Sequence, residues 1–476
     1  MLKYTNHPLV DTGLATITAY AEKDEPYELD EADLEAMADY IAKNYTKPPL
    51  IGFIHGAVFP NSGYTNPGLK TEQDRRDRFG PILYGYRRSP PPEAKTCVFC
   101  GKPAIEQVAR DYFPLLTGRG VINFYPEGDW GMPVCGTCLL AIQAYPLGSG
   151  GLLLVVDSDN PEIKAHFARR FLDYNLRAIN LAQAGGDKAA LRPEFSQRTL
   201  LVKTLLDARA MQKENVALKE LFSITAYQVS NSGQSPSLEI YHLPMQVIGF
   251  LTDMNLAKYH TDWRTIVNRA WEVEPKTKRT KKKGEPFKPR RNYLYEDILN
   301  LPNNADRFIR TYFLRMALYY ARNSKNDPRD NYSTKEESGL VSWGITEKFL
   351  RRIMHMDKER TEQMKKLGDT LADYVKAQND RRFFREFFTV KRYDSLRTIL
   401  IKADLAQAKN GQAPLIAFDT YISVFEDGED LARTDWRLAR DLVLIRMVER
   451  LYELKWLGEN TDIIPDKDEE PETNED

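Results

Sequence analysis

Cys97-Val98-Phe99-Cys100 and Cys135-Gly136-Thr137-Cys138 hold every cysteine in the chain, and the fold is read outward from them. A two-residue gap lets a tight knuckle aim two thiolates at one metal ion, and two knuckles complete a tetrahedral sulfur shell that suits zinc. Gly101 follows the first pair and Gly136 lies inside the second, where glycine eases the backbone angles of a knuckle turn. Two structural disulfides fit a cytosolic chain less well. A redox pair does not account for two copies and no further cysteine. The expectation is one structural Zn2+ on Cys97, Cys100, Cys135 and Cys138, with no position left for water. Residues 101–134 exceed the usual ribbon spacing, so the site closes a sizeable insert, residues 93–145.

Around that insert the pattern is α+β: a mixed N-terminal domain with the four-cysteine zinc-binding insert, then a C-terminal helical bundle. Residues 9–45 read as largely helical, with Asp30 capping a helix that carries Leu34, Met37, Ala38 and Ile41 at helical spacing. Residues 48–92 are rich in glycine and proline and read as short strands joined by loops. Residues 150–157 form a buried-strand pattern, and Pro161 opens a helix that ends near Gly185-Gly186. Residues 223–229 and 238–243 alternate like two strands around a polar hairpin loop, residues 230–236. The body is expected to span 1–322, a polar linker 323–340, a helical bundle 341–460 and an acidic disordered tail 461–476. In the bundle, residues 380–392 put Phe383, Phe384, Phe387 and Phe388 on one face and Arg381, Arg382 and Arg385 on the other. Residues 433–457 present Arg433, Arg437 and Arg440 as a basic stripe.

Charge and chemistry narrow the function. The tail carries a net −7, which leaves +6 on the rest beneath a total of −1, a balance compatible with nucleic-acid binding. The Met1 end lacks the basic-then-apolar pattern of a secretory signal, and the longest strongly apolar run, 152–156, is too short for a bilayer. A cytoplasmic protein without a membrane partner is expected. His7, His55, His166, His242, His260 and His355 are scattered without metal-ligand spacing, and phosphate-loop, nucleophile-elbow and H-E-x-x-H motifs are missing. The sequence offers no catalytic residue, and no enzyme is expected.

The opening Thr5-Asn6-His7-Pro8-Leu9-Val10-Asp11-Thr12-Gly13 resembles the T-G-N-P-F-V-D-A-G start of a CRISPR-associated family named for its two C-x-x-C pairs, departing from it at His7, Leu9 and Thr12. Asn231-Ser232-Gly233 with Ile240-Tyr241-His242-Leu243-Pro244 also looks like a recurring part of that family, as do the two cysteine pairs and the overall length. The resemblance implies a non-enzymatic antiviral-defence protein, the large subunit of a type I-B surveillance complex (Cascade) that binds DNA and RNA. Its partners would be crRNA, target duplex and displaced strand, the backbone and crRNA 5′-end-capping subunits, and a recruited helicase-nuclease or transposition factor. Guide pairing reads the target, and protein contacts read only the short flanking motif, the PAM. On that basis Asn61, Asn66, Ser230, Asn231 and Gln234 are expected to read the duplex. Lys278, Arg279, Lys281, Lys282, Lys283 and the six bundle arginines would hold phosphates. An internal start at Met354 or Met356 would yield a small subunit. The other readings are a zinc-stapled, magnesium-dependent nuclease using dispersed carboxylates and a scaffold that contacts protein alone.

Overall fold

The computed structural model describes residues 2–60, 62–66, 68–69, 71–122, 128–151, 153–185, 194–212, 223–232, 236–274, 286–316, 318, 326–333, 337–426 and 432–463. The chain forms two compact units, residues 1–245 and 246–476. The architecture is mixed α+β with a helical C-terminal region.

The first unit is built around α1 (Pro8–Tyr20), which is buried along most of its length. Pro8 opens it at a position where the missing amide costs nothing. Its buried threonines satisfy themselves locally: Thr16 Oγ1 donates to the Thr12 carbonyl at 2.6 Å and Thr18 Oγ1 to that of Leu14 at 2.9 Å. Helix α2 (Glu31–Asn44) starts where the sequence predicts, with the Asp30 side chain accepting from the Asp33 amide at 3.0 Å. Leu34, Met37, Ala38 and Ile41 are all buried beneath it. After α3 (Glu72–Leu83), β1 (Glu106–Val108) and β2 (Met132–Val134) pair antiparallel and deliver the chain into α4 (Gly136–Ala144). Gly13 of α1 lies against α4 so tightly that a Cβ there would sit 1.8 Å from the Ala141 carbonyl oxygen.

A three-stranded antiparallel sheet completes this unit in the order β3 (Leu154–Ser158), β4 (Ile224–Ser230), β5 (Ser237–Leu243), with Val156 opposite Ala226 and Ala226 opposite Tyr241. Between β3 and β4 run α5 (Pro161–Ala184), closed by Gly185, and α6 (Gln197–Gln212). These strands and α5 follow the sequence reading. Residues 48–92 do not. Among the described residues they hold no strand but a short helix (Leu50–Phe53), a π turn (Ile54–Val58) and α3. Thr71 caps α3 by accepting from the Asp74 amide at 3.0 Å, and the glycines at 52, 56 and 80 are accommodated in helical turns.

The regular elements described in the second unit are helical, among them α7 (Met245–Met254, which starts at the boundary), α8 (Ala257–Arg269), α9 (Tyr293–Ile298), α10 (Trp343–Arg352), α11 (Lys358–Gln378), α12 (Arg381–Thr389), α13 (Tyr393–Lys409), α14 (Phe418–Phe425) and α15 (Trp436–Glu453). Phe349 of α10 sits in an aromatic cluster with Phe250, Phe308 and Phe313, ring centroids 5.2–5.4 Å away. That cluster corrects the expected boundary at 322, because residues 246–313 share the core of the helices that follow. The expected linker is also corrected. Asp327, Arg329, Tyr332 and Glu337 are buried, and the Arg329 guanidinium pairs with Asp327 at 2.8 Å and with Asp297 at 2.6 Å. Of the expected acidic tail, Thr461–Ile463 form a 3-10 turn with Ile463 buried, and residues 464–476 lie outside the described residues.

Candidate metal centre

The two knuckles meet as the cysteine spacing predicts. The four sulfur atoms of Cys97, Cys100, Cys135 and Cys138 lie within 4.8 Å of one another, and Cys100 Sγ is 3.4 Å from Cys135 Sγ. Four thiolates at about 2.3 Å from a tetrahedral ion are about 3.8 Å apart, so the cluster has the dimensions of a metal shell. The cysteines form no disulfide.

Local structure explains the convergence. In the first knuckle the Cys97 amide donates to the Lys102 carbonyl at 2.8 Å and the Gly101 amide to the Cys97 carbonyl at 3.1 Å, with Gly101 at φ +73°. The Val98 amide donates to the Pro133 carbonyl at 3.2 Å, which ties this knuckle to the strand that leads into the second. Cys135 then caps α4 and Cys138 lies in its first turn, where the helix amides favour negative charge. A Cβ on Gly136 would fall 2.2 Å from the Gly85 carbonyl carbon and the Tyr86 nitrogen, so only glycine lets that backbone close over the knuckle.

Cys97, Cys135 and Cys138 are buried. Half-buried Cys100 borders a cavity of about 340 Å³ lined also by Lys3, Tyr4, Phe99 and Lys102. Hydrogen bonding among the four sulfurs couples their protons, so they titrate as a set. Four such sulfurs can hold a metal ion and, all thiolate, leave it no open position.

The segment Thr5–Gly13 lies beside this centre. Buried Asp11 gathers the Thr5 amide (2.6 Å), the Thr5 hydroxyl (2.9 Å), the Asn6 amide (3.1 Å) and the Lys164 ammonium (3.2 Å). The His7 ring packs edge-on against Phe99 of the first knuckle, centroids 4.8 Å apart.

The other sequence-predicted residues divide. Asn231 is fully buried, which corrects its expected role in reading bases. Its Nδ2 donates to the carbonyls of Val58 (2.9 Å) and Arg110 (3.3 Å), and its Oδ1 accepts from the Leu115 amide and from Arg110 Nε, both at 3.1 Å. Its amide donates to the Ala57 carbonyl at 2.9 Å. These bonds do bring the loop after β4 together with residues 57–58, which lead into the loop of exposed Asn66. Ser230 is half-buried opposite Ser237. Asn61, Gln234, Lys278, Arg279, Lys281, Lys282 and Lys283 lie outside the described residues.

In the bundle, α12 keeps its four phenylalanines buried and Arg381, Arg382 and Arg385 exposed, but Arg381 pairs with Asp462 and Arg382 with Glu386 at 2.7 Å. The stripe expected on residues 433–457 is broken. Arg433 precedes α15 and binds the Glu426 carbonyl at 2.8 Å, and Arg440 is largely buried against Asp441 and the Phe388 carbonyl. Of the three arginines Arg437 alone is exposed as expected, beside the Trp436 ring.

Sequence reasoning missed two sets. Lys164, buried between Asp11 and Asp157, had no local signal. Lys43 and Lys47, four residues apart where α2 ends, had one, and they line the groove described below. No helix among the described residues is long and apolar enough to cross a membrane. No family model, curated protein or solved structure matches the chain, so its site is read from its own chemistry.

Proposed function

We propose that the chain is the non-catalytic large subunit of a type I-B, crRNA-guided surveillance complex, with zinc in its four-cysteine centre. The observation that carries this reading is the backbone at residues 5–13. Asn6 stands where the resembled start has glycine, a further departure, and it adopts φ +64°, the left-handed region that glycine fills most readily and asparagine next. Pro8 opens α1, Asp11 gathers four donors and Gly13 is pinned to Ala141, so the shared residues are those the local structure requires. The substitutions at Asn6 and Leu9 suit the same backbone, with Leu9 buried in the core. Two of the resembling motifs, the opening and the cysteine pairs, pack into one substructure.

In this reading the metal is a staple and the chemistry of cutting belongs to a recruited helicase-nuclease. PAM reading stays with Asn66, Ser230 and the assigned Asn61 and Gln234, while Asn231 positions the loop that carries its neighbours. Met354 and Met356 fall between the end of α10 and the Asp357 cap of α11, so a product begun at either would hold α11–α15 intact. The test is duplex binding by the purified chain, alone and with crRNA-loaded partner subunits, across a randomised flanking motif. Motif-dependent binding without cleavage is expected, with one zinc per chain by elemental analysis. Cleavage with magnesium would favour the nuclease, and motif-blind or absent binding the protein-only scaffold.

A further inference from the structure

Three cavities differ in what their charges are free to do. The one beside the cysteines belongs to the metal centre. A second, of about 570 Å³ within the helical unit, is lined by Arg310, Arg360, Arg433 and Arg437. Most of its cations are committed: Arg360 grips Asp435 through two bonds of 2.7 and 2.8 Å, Arg310 holds Asp441 at 2.8 Å, and Arg433 binds a carbonyl. With Asp306, Asp357 and Asp435 also on its wall, that cavity offers an anion little net charge.

The third is an open groove of about 760 Å³ in the first unit, between the end of α2 and the start of α3. Among the described residues, Lys43, Lys47 and Arg75 line it with Thr46, Thr71, Tyr84 and one carboxylate, Asp39. That carboxylate is occupied, accepting from the Tyr84 hydroxyl at 2.5 Å. Arg75 is fixed in place by the carbonyls of Tyr64 (2.9 Å) and Leu69 (3.1 Å). Lys43 and Lys47 are exposed, and neither ammonium makes an ion pair among the described residues. Two ammonium groups without an ion pair, four residues apart in sequence, a fixed guanidinium and an anchored aromatic ring match the needs of a phosphodiester strand, while the Thr46 and Thr71 hydroxyls are spent on the Ala42 carbonyl and Asp74. Cations track the phosphates and the ring offers a face to a base.

We propose that this groove holds the backbone of a single-stranded nucleic acid, with Lys43 and Lys47 on successive phosphates and Tyr84 against a base. The inference rests on the nucleic-acid reading above and adds a site that reading did not include. Each phosphate neutralised on a single strand contributes about 0.7 to the slope of log affinity against log salt. Losing two contacts flattens that slope by about 1.4, which is about 25-fold in affinity near 0.1 M salt.

The experiment is fluorescence anisotropy of the full chain with a labelled single strand of mixed sequence across a salt series, for wild type and Lys43→Gln/Lys47→Gln. A control, Lys402→Gln/Lys409→Gln, removes the same charge from exposed positions on α13. The groove variant is expected to show the flattened slope and the loss of about 25-fold with an unchanged melting temperature, and the control neither. Wild-type binding with an unaltered groove variant, or an equal loss in the control, overturns the groove and leaves the nucleic-acid reading standing. A wild type that binds no strand fails both. Displacement of the strand by inorganic pyrophosphate as effectively as by unlabelled strand would assign the groove to a free anion and overturn the proposal.

Discussion

Replacing Asn231 with alanine separates a structural role from base reading, because its four side-chain hydrogen bonds all stay inside the protein. Truncation strands the Val58 and Arg110 carbonyls and the Leu115 amide, while the Arg110 guanidinium keeps the Ser232 carbonyl as a partner. Each of the three stranded buried groups costs about 1–2 kcal/mol, so the expected loss is about 3–6 kcal/mol. For a folding unit of this size, 1 kcal/mol shifts the melting temperature by about 2–4 °C, which predicts a fall of roughly 6–24 °C in the transition of the first unit. The assay is thermal unfolding paired with hydrogen exchange. Faster exchange is expected in peptides covering residues 57–60 and 110–116, far apart in sequence and both bonded to this side chain. Asn231→Asp is expected to do little better, since its second oxygen would face the two carbonyls that now accept from Nδ2. An unchanged melting temperature and unchanged protection in Asn231→Ala, with loss of duplex binding, would refute the argument and restore the base-reading role.

Stripping metal with a strong chelator, or Cys100→Ser, should lower the melting temperature of the first unit and open residues 93–134 to protease. Co2+ reconstitution with thiolate charge-transfer bands would verify the four-sulfur shell, and indifference to chelation would refute it. Gly13→Ala should cost about 3 kcal/mol, the upper end for overpacking, because its new methyl meets helix backbone that a rotamer change cannot clear; calorimetry checks it. Arg329→Leu should cost about 3–5 kcal/mol by leaving Asp297 and Asp327 without their cation, measured as thermal destabilisation. His166 is held below its ordinary 6.5 by burial first and by Arg170 and Arg169 second, so the unfolded chain binds the proton more readily. Its contribution is complete above about pH 6.5 and is lost as the pH falls below that value, and His166→Gln should flatten stability curves there.

How much could be read in advance depended on how far apart the interacting residues lie. The knuckles, the Asp30 cap, the Pro161 start and the Phe383–Phe388 face each declare themselves within a few residues, and each formed as read. Asn231 sat in a polar loop that looked like surface, and nothing nearby announces Val58, Arg110 or Leu115. Residues 326–333 looked like a linker because they are polar. Their polarity is instead matched by Asp297 and Tyr312, and pairing of that kind is invisible to a scan for apolar periodicity.

The same reasoning sorts arginine from lysine in this chain. Arg110, Arg329, Arg360 and Arg440 each reach a distant carbonyl or carboxylate, and a planar, donor-rich fork is suited to such internal clamping. A basic stripe counted from sequence therefore overstates the charge available to a ligand wherever its members are arginines near a packed seam, as Arg433 and Arg440 demonstrate. Lys43 and Lys47 are a weaker pattern on paper, yet their charge is unspent. A search for nucleic-acid contacts gains more from the cations that the fold leaves unpaired than from the longest run of basic letters.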